Sequence, residues 1–418
     1  MSATRFPWTT SLLAVATLAL VTLGLAFATD AVAGSPAYAP PAIGHVFIVI
    51  LENEGYDKTF GPQSPAPYLN QLQRQGALVR NYYATSHFSL GNYISLVSGQ
   101  APNPATDFDC PKYVEFVTTG TTSDGQAIGK GCVYPASVRT LTQQLESKGR
   151  TWKAYMEDMG NKPERESAAC AHPDLGAADR TMGAQVGDQY ATRHDPFVYF
   201  HAIIDRPSCA LRVVNLRLLD RDLQSIDTTP NYVFITPNLC HDGHDGDGGT
   251  HHCVDGEPGG LVSADEFLRT LVPRITSSAA FRRDGLLIIT FDESDLAVHH
   301  DAANVTVSAS ATDAAACCHE LPGPNIPAYQ PGIASGLSAL NGPGIVGPGG
   351  GRIGAVLLSP FIRPGTVSQV PYNHYALLRS VEDLFGLEHL GYAGQEGLKS
   401  FGPDIYTRHP RERAPLTP

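Results

Sequence analysis

Glu52-Asn53 and Asp292-Glu293 place acids and an amide directly behind two near-continuous apolar runs, His45–Leu51 and Leu286–Phe291. Such runs read as strands buried on both faces, and polar residues at the carboxyl ends of parallel strands are where α/β sheets bind ligands. Carboxylates gathered in one place repel unless water or a cation lies between them. One strand end of this kind is ordinarily a solvated loop. Two on one sheet point to hard oxygen donors around a divalent cation, one ion or two. The ligand candidates are Glu52, Asn53, Asp292 and Glu293, with Ser89 joining them as described next.

The stretch SHFSLGNYISLVSG, residues 86–99, supplies a nucleophile to go with such a cation. In the plainest reading Ser89 caps a helix whose apolar face is Tyr93, Ile94, Leu96 and Val97. Beside a metal the same hydroxyl loses its proton more readily and attacks phosphorus as a metal-bound alkoxide. The helix N-terminus then offers free N–H groups and a positive dipole end to the phosphoryl oxygens. Asn92, three residues on, presents its amide on the same helical face, and His87 adds a donor. A third group, Thr236 to Asp247, follows another apolar run and is crowded with His and Asp. Read alone it is a turn or a calcium loop. After a third strand it brings His244 to the phosphate as donor or leaving-group acid, with His241 as a further donor. Asp242 and Asp245 orient these histidines or ligate metal. His374 opens the last helix and either faces the site or is structural; His251 and His252 are loop residues.

These side chains need a scaffold. Beyond the two runs above, helices are expected at residues 66–75, 137–148 (capped by Ser137), from Ser263 (with a Ser263–Glu266 capping box) and at 375–385. Strands are expected near 78–83, 151–155, 232–236 and 355–358. Alternating strands and helices predict a three-layer α/β/α sandwich around a mostly parallel sheet. Residues 34–418 read as one domain with long Gly/Pro-rich excursions near 103–132 and 296–352.

Bulk properties narrow the class further. The chain has 418 residues, 42% hydrophobic and 17% charged, which is globular, and its formal charge of −12 disfavours nucleic acid as a partner. Arg5, an uncharged run from Ser11 to Thr29 and Ala31-Val32-Ala33 read as a secretory leader cleaved after Ala33, or else as an uncleaved anchor. Cleavage leaves no segment for stable membrane insertion and implies a secreted or cell-envelope location. All eight cysteines lie beyond Ala33, which favours disulfides over a zinc site in the absence of any C-x-x-C pair; the pairing stays open.

FIVILENEGYDKTFG, SHFSLGNYISLVSG, TPNLCHDGHDG, LLIITFDESD and YNHYALLRSVEDLFGL, in this order, resemble the bacterial phosphoesterase family of secreted acid phosphatases. That family is similar to mycobacterial-type lipid phosphatases and phospholipase C enzymes, and more distantly to the alkaline phosphatase superfamily. The resemblance spans most of residues 44–300 and 353–395, and Ser89, Asn92 and Gly99 match the family's spacing. It implies an alkaline-phosphatase-like fold with Glu52, Asn53, Asp292 and Glu293 around a metal and Ser89 as nucleophile. Members often read His-Pro-Ser-x-Pro-Asn-Tyr where this chain has His87-Phe88-Ser89-Leu90-Gly91-Asn92-Tyr93, so this turn lacks both prolines. The implied activity is acid phosphomonoester hydrolysis through a phosphoserine, on a small-molecule or lipid phosphate ester. A phospholipase C-like phosphodiesterase is the enzymatic alternative. A secreted metal- or glycan-binding protein with an inactive site is the non-enzymatic one.

Export and the even cysteine count predict that thiol titration of denatured, unreduced protein finds almost no free thiol. Titration of most of the cysteines would reverse that expectation.

Overall fold

The computed structural model describes residues 38–301, 306–311, 313–326 and 348–408. The expected leader, residues 1–33, lies outside them, as does part of the second excursion.

Strands β1 (His45–Leu51), β2 (Ala77–Val79), β3 (Trp152–Met156), β4 (Val213–Asn215), β5 (Tyr232–Thr236), β6 (Gly285–Phe291), β7 (Ala355–Leu358) and β8 (Thr366–Ser368) build one eight-stranded sheet. Their spatial order is β8-β2-β7-β6-β1-β5-β3-β4. Every pairing is parallel except those of β7, which runs against both β6 and β2. β1 lies at the centre, every residue buried, and pairs with β6 in unbroken register from His45↔Gly285 to Leu51↔Phe291.

The main helices are α1 (Pro67–Gln75), α2 (Ser89–Ser98), α3 (Leu141–Ser147), α4 (Gly260–Thr276), α5 (Ala279–Asp284) and α6 (His374–Phe385). They cover both faces of the sheet. Phe47 meets Phe281 of α5 with ring centroids 6.2 Å apart, whereas Phe234 meets Tyr93 of α2 at 6.3 Å. Phe47 is in register with Val233, so Phe234 projects from the opposite face. The expected α/β/α layering is the observed one.

Local details differ from expectation where two residues compete for one task. Thr140, not Ser137, caps α3, in a capping box with Gln143. α4 starts at Gly260, with Gly259 in the N-cap position, and Ser263 Oγ accepts the Gly259 N–H at 2.9 Å from inside the helix. The expected strand at 78–83 divides: β2 joins the sheet, and Tyr82–Tyr83 pairs with Tyr372–Asn373. The first excursion carries the ribbon Val117–Thr121/Ala127–Lys130, and the second carries Leu296–Asp301/Thr306–Ala311. The cysteines join as 110–132, 170–209, 240–253 and 317–318, and the first three bridges staple segments that lie outside the main strands and helices.

One packing feature bears on the site. Gly350 and Gly351 follow the second excursion, and a Cβ on Gly350 would stand 2.0 Å from the Ser86 carbonyl oxygen. One on Gly351 would stand 2.1 Å from Ser294 Oγ, and its φ of +83° is itself glycine territory. The backbone leading to Ser89 therefore rests directly on another backbone.

Glu382 of α6 is buried, with Oε1 accepting the Leu390 N–H at 3.0 Å and Oε2 without a hydrogen-bond partner. Burial pushes its pKa up from 4.5 to about 9. The folded state thus holds a proton that the unfolded chain releases, and stability falls as pH rises across that window. Glu382→Gln should flatten the decline, so that thermal midpoints of variant and wild type diverge in the variant's favour toward alkaline pH. A constant difference across the range would refute this origin.

Candidate active site

Neighbouring strand ends converge on one buried point. β1 delivers Glu52, β6 delivers Asp292, and the turn after β5 delivers Asp242; each is wholly buried. The backbone ties them together, with Asp292 N–H donating to the Leu51 carbonyl and Glu52 N–H to the Asp242 carbonyl, both at 2.8 Å. Asn53, in the left-handed region at φ 53°, donates its N–H to Asp292 Oδ1 at 3.1 Å. Asn tolerates that conformation, and it turns the chain sharply off the strand.

Ser89 does not cap α2. The N-cap is Phe88, whose side chain makes no cap hydrogen bond, and Ser89 Oγ instead donates to Glu52 Oε2 at 2.9 Å. Phe88 sits at φ 69°, a conformation that costs a bulky residue of order 1–3 kcal/mol. The surroundings hold it there: Glu293 Oε2 accepts the Phe88 N–H at 3.1 Å and pairs with His87 Nδ1, while His87 Nε2 donates to the Asp313 carbonyl at 2.8 Å.

His194 lies in a short helical turn, Thr192–His194, stacked on Tyr93 at 5.3 Å and 10°. Its Nε2 stands 3.1 Å from Glu52 Oε1 and its Nδ1 3.2 Å from Asp242 Oδ2. Ligand atoms of Glu52, His194 and Asp242 lie within 4.8 Å of one another. Beside it, Arg193 reaches His244 Nε2 at 3.2 Å, and His244 Nδ1 contacts Asp245 Oδ1 at 2.8 Å.

The electrostatics are those of an anionic cluster short of positive charge. Burial first, then Asp292 and Asp242, push the Glu52 pKa well above the carboxylate range; burial likewise raises Asp242 and Asp292. Burial and the nearby Arg193 hold His194 well below the usual imidazole value, and a neutral imidazole is the form that ligates metal. Glu52 Oε1, Asn53 Oδ1, both His194 nitrogens, Asp242 Oδ2 and Asp292 Oδ2 are buried without hydrogen-bond partners. Buried polar atoms are ordinarily satisfied, so this donor set fits a divalent cation.

Of the residues singled out from sequence, the fold gathers Glu52, Asn53, Ser89, Asp242 and Asp292, with His244 and Asp245 at the rim. Others go elsewhere. Glu293 follows Asp292 directly and projects away from the cluster to His87 and the α2 N-terminus. Asn92 is spent within the chain: Oδ1 accepts from Thr85 N and Ser86 N, and Nδ2 donates to the Ser86 and Phe88 carbonyls. It holds the turn before Ser89 and offers no free amide group. His241 lies between Glu157 and Glu257, each at 2.9 Å, rather than beside the cluster; against the lowering effect of burial they raise its pKa to about 9. His374 is interior, with Nε2 donating to the Asp292 carbonyl at 2.6 Å and Nδ1 bonded to Tyr82 OH at 3.1 Å, so it braces the strand end.

His194, Arg193 and Asp109 were not singled out. The available signal is Asp195-Pro196, a helix-start pair: Asp195 does cap the turn Pro196–Tyr199, and His194 immediately precedes it.

The chain belongs to the Phosphoesterase family, whose model matches residues 62–388. That span begins after Glu52 and Asn53, which the geometry of the site brings to Ser89 and Asp292. Among its relatives, a probable acid phosphatase of Kluyveromyces lactis is 24% identical over 61% of this chain and 48% of its own length. A phosphate-repressible acid phosphatase of Penicillium chrysogenum is 27% identical over 59% and 47%. This chain thus spans about half the length of these two relatives. A phosphatidylinositol-3-phosphatase of Mycobacterium tuberculosis is 22% identical over 86% of this chain and 83% of its own. Among solved structures, an alkaline phosphatase superfamily protein of Vibrio parahaemolyticus aligns with 87% of this chain and 72% of its own at a TM-score of 0.46 and 12% identity.

A cation in this cluster predicts that elemental analysis of purified protein finds a divalent ion and that chelation lowers the thermal midpoint. A ligand at a hundredfold excess over Kd contributes about 2.7 kcal/mol. His194→Ala and Asp242→Asn should each lose the ion and the response to chelator together; an ion retained in both would place it elsewhere.

Proposed function

We propose that this protein is a secreted, metal-dependent phosphomonoesterase in which Ser89 is transiently phosphorylated. The observation that carries the reading is the Ser89 Oγ–Glu52 Oε2 hydrogen bond of 2.9 Å, which aims a buried hydroxyl at the carboxylate cluster instead of at its own helix. Glu52, His194, Asp242, Asp292, Asn53 and Ser89 would hold the metal. Such a cation supplies Lewis-acid stabilisation of negative charge and lowers the proton affinity of the hydroxyl. Ser89 Oγ, its proton passing to Glu52, attacks phosphorus; the ester P–O bond breaks and the alcohol leaves with a proton from solvent; water then cleaves the phosphoserine to inorganic phosphate and the free hydroxyl. His244 accepts from Arg193 through Nε2 in this arrangement, so the role best supported for it is to orient that guanidinium rather than to protonate the leaving group.

A phosphomonoester carries three non-bridging oxygens that need donors or cations as charge develops. Arg193, the α2 N-terminus and the metal cluster supply these, which favours a monoester over a diester. An acid optimum is supported by the names of the relatives. Histidine titration does not supply it, since His87, His241 and His374 are all engaged elsewhere. The Mycobacterium relative supports including a phosphoinositide among the substrates tried. Complete pairing of the cysteines supports export.

Ser89→Ala should abolish turnover, where loss of a mere cap would cost ~1 kcal/mol of stability. Acid quench and peptide mapping of wild type should find phosphate on residue 89. Values of kcat/KM for p-nitrophenyl phosphate and phosphatidylinositol 3-phosphate should exceed those for bis-p-nitrophenyl phosphate and phosphatidylcholine. A preference for either diester would favour a phospholipase C-like activity, and normal turnover by folded Ser89→Ala would end the nucleophile assignment.

A further inference from the structure

The shoulder of the nucleophile already holds an anion, and it comes from the chain itself. Asp109 lies in the first excursion, beside the Cys110–Cys132 bridge. Its Oδ1 accepts the Leu90 N–H at 3.0 Å, and its Oδ2 stands 3.8 Å from Arg193 Nε. One carboxylate thus spans the first turn of α2 and a guanidinium. Two oxygens of a carboxylate are spaced much like two oxygens of a phosphoryl group, and they carry similar charge.

Arg193 is only 2% exposed. Nη1 is anchored on the Met182 carbonyl at 3.0 Å and Nη2 on His244 at 3.2 Å. The carboxylates surrounding it are Asp109, Glu52, Asp242 and Asp179. A buried guanidinium is costly unless a close anion compensates it, and its planar fork matches carboxylate or phosphoryl oxygens in pairs. At 3.8 Å, Asp109 is beyond hydrogen-bond distance from Nε, so this contact leaves the fork short of a well-made partner. The next residue, His194, is 1% exposed, and both its ring nitrogens lack hydrogen-bond partners while facing the cluster around Ser89.

We propose that Arg193 and the Leu90 N–H are the donors that anchor the phosphoryl group, and that Asp109 occupies their site in the resting protein and yields it to substrate. This rests on the reading of Ser89 as the nucleophile. Phosphate binding then exchanges one anion for another. Arg193 never faces the interior uncompensated, and inorganic phosphate leaves as the carboxylate returns. The Cys110–Cys132 bridge fixes the residue next to Asp109, so the exchange is a side-chain rotation and not a loop movement.

The test is calorimetric binding of inorganic phosphate to the full chain, alongside turnover. Asp109→Asn keeps an acceptor for the Leu90 N–H but removes the competing charge. It should tighten phosphate at least fivefold, a direction that simple damage to the fold does not produce. Arg193→Met should weaken phosphate at least tenfold, and the double variant should resemble Arg193→Met. If Arg193→Met does not fold, Asp109→Asn decides alone: unchanged or weaker phosphate binding overturns the proposal. Ser89→Ala separates the two assignments. If Ser89→Ala is inactive while Asp109→Asn leaves phosphate affinity unchanged, the nucleophile stands and the anion exchange falls. If Ser89→Ala stays active while Asp109→Asn tightens phosphate, the anion exchange stands and the nucleophile falls.

Discussion

Glu52, Asp242 and Asp292 are buried together, and their mutual repulsion is the constraint around which the molecule is arranged. Removing a carboxylate from water costs several kcal/mol, and placing another beside it adds to that cost. Such an arrangement survives where protonation or a cation offsets the repulsion and where the scaffold is stiff enough to hold the groups together. The parallel core provides the stiffness. β1 is flanked by β6 in unbroken register and by β5 on its other side, so the three strand ends are fixed relative to one another by ladder hydrogen bonds.

Ser89 is fixed by different means. The turn before α2 holds Phe88 in a left-handed conformation, which the chain would abandon if left to itself. Asn92 stitches residues 85, 86 and 88 to the helix, and the buried His87–Glu293 pair ties the same turn to β6. In a turn without prolines, side-chain hydrogen bonds supply the rigidity that a ring would otherwise provide. The strand that presents Asp292 and the turn that presents Ser89 thereby become one unit.

What was legible in the sequence follows the regularity of the elements. An apolar run ending in acids announces both a buried strand and its polar carboxyl end, so Glu52 and Asp292 were readable. Asp292 and Glu293 also show the limit of that signal: consecutive residues leaving a strand project to opposite sides, and composition does not say which side faces the site. Asn92 was recognised as a residue of consequence, but its spacing from Ser89 suits a bond to the preceding turn as well as one to a ligand. His194, Arg193 and Asp109 come from irregular segments, where no periodicity reports which side chains turn inward. The capping errors at Ser137 and Ser263 have the same source, since Thr140 and Gly259 lay within about one turn of each and offered alternative starts.

The glycines under the Ser89 turn set the freedom of the chain to diversify. A side chain at residue 350 would push into the Ser86 backbone that leads to Ser89, and one at residue 351 into Ser294 and the Asp313 carbonyl. The ribbon Val117–Lys130, by contrast, exposes most of its first strand to solvent. Descendants of this sequence are thus free to drift, lengthen or acquire new contacts along the ribbon, while the short glycine run remains a bottleneck through which few substitutions pass.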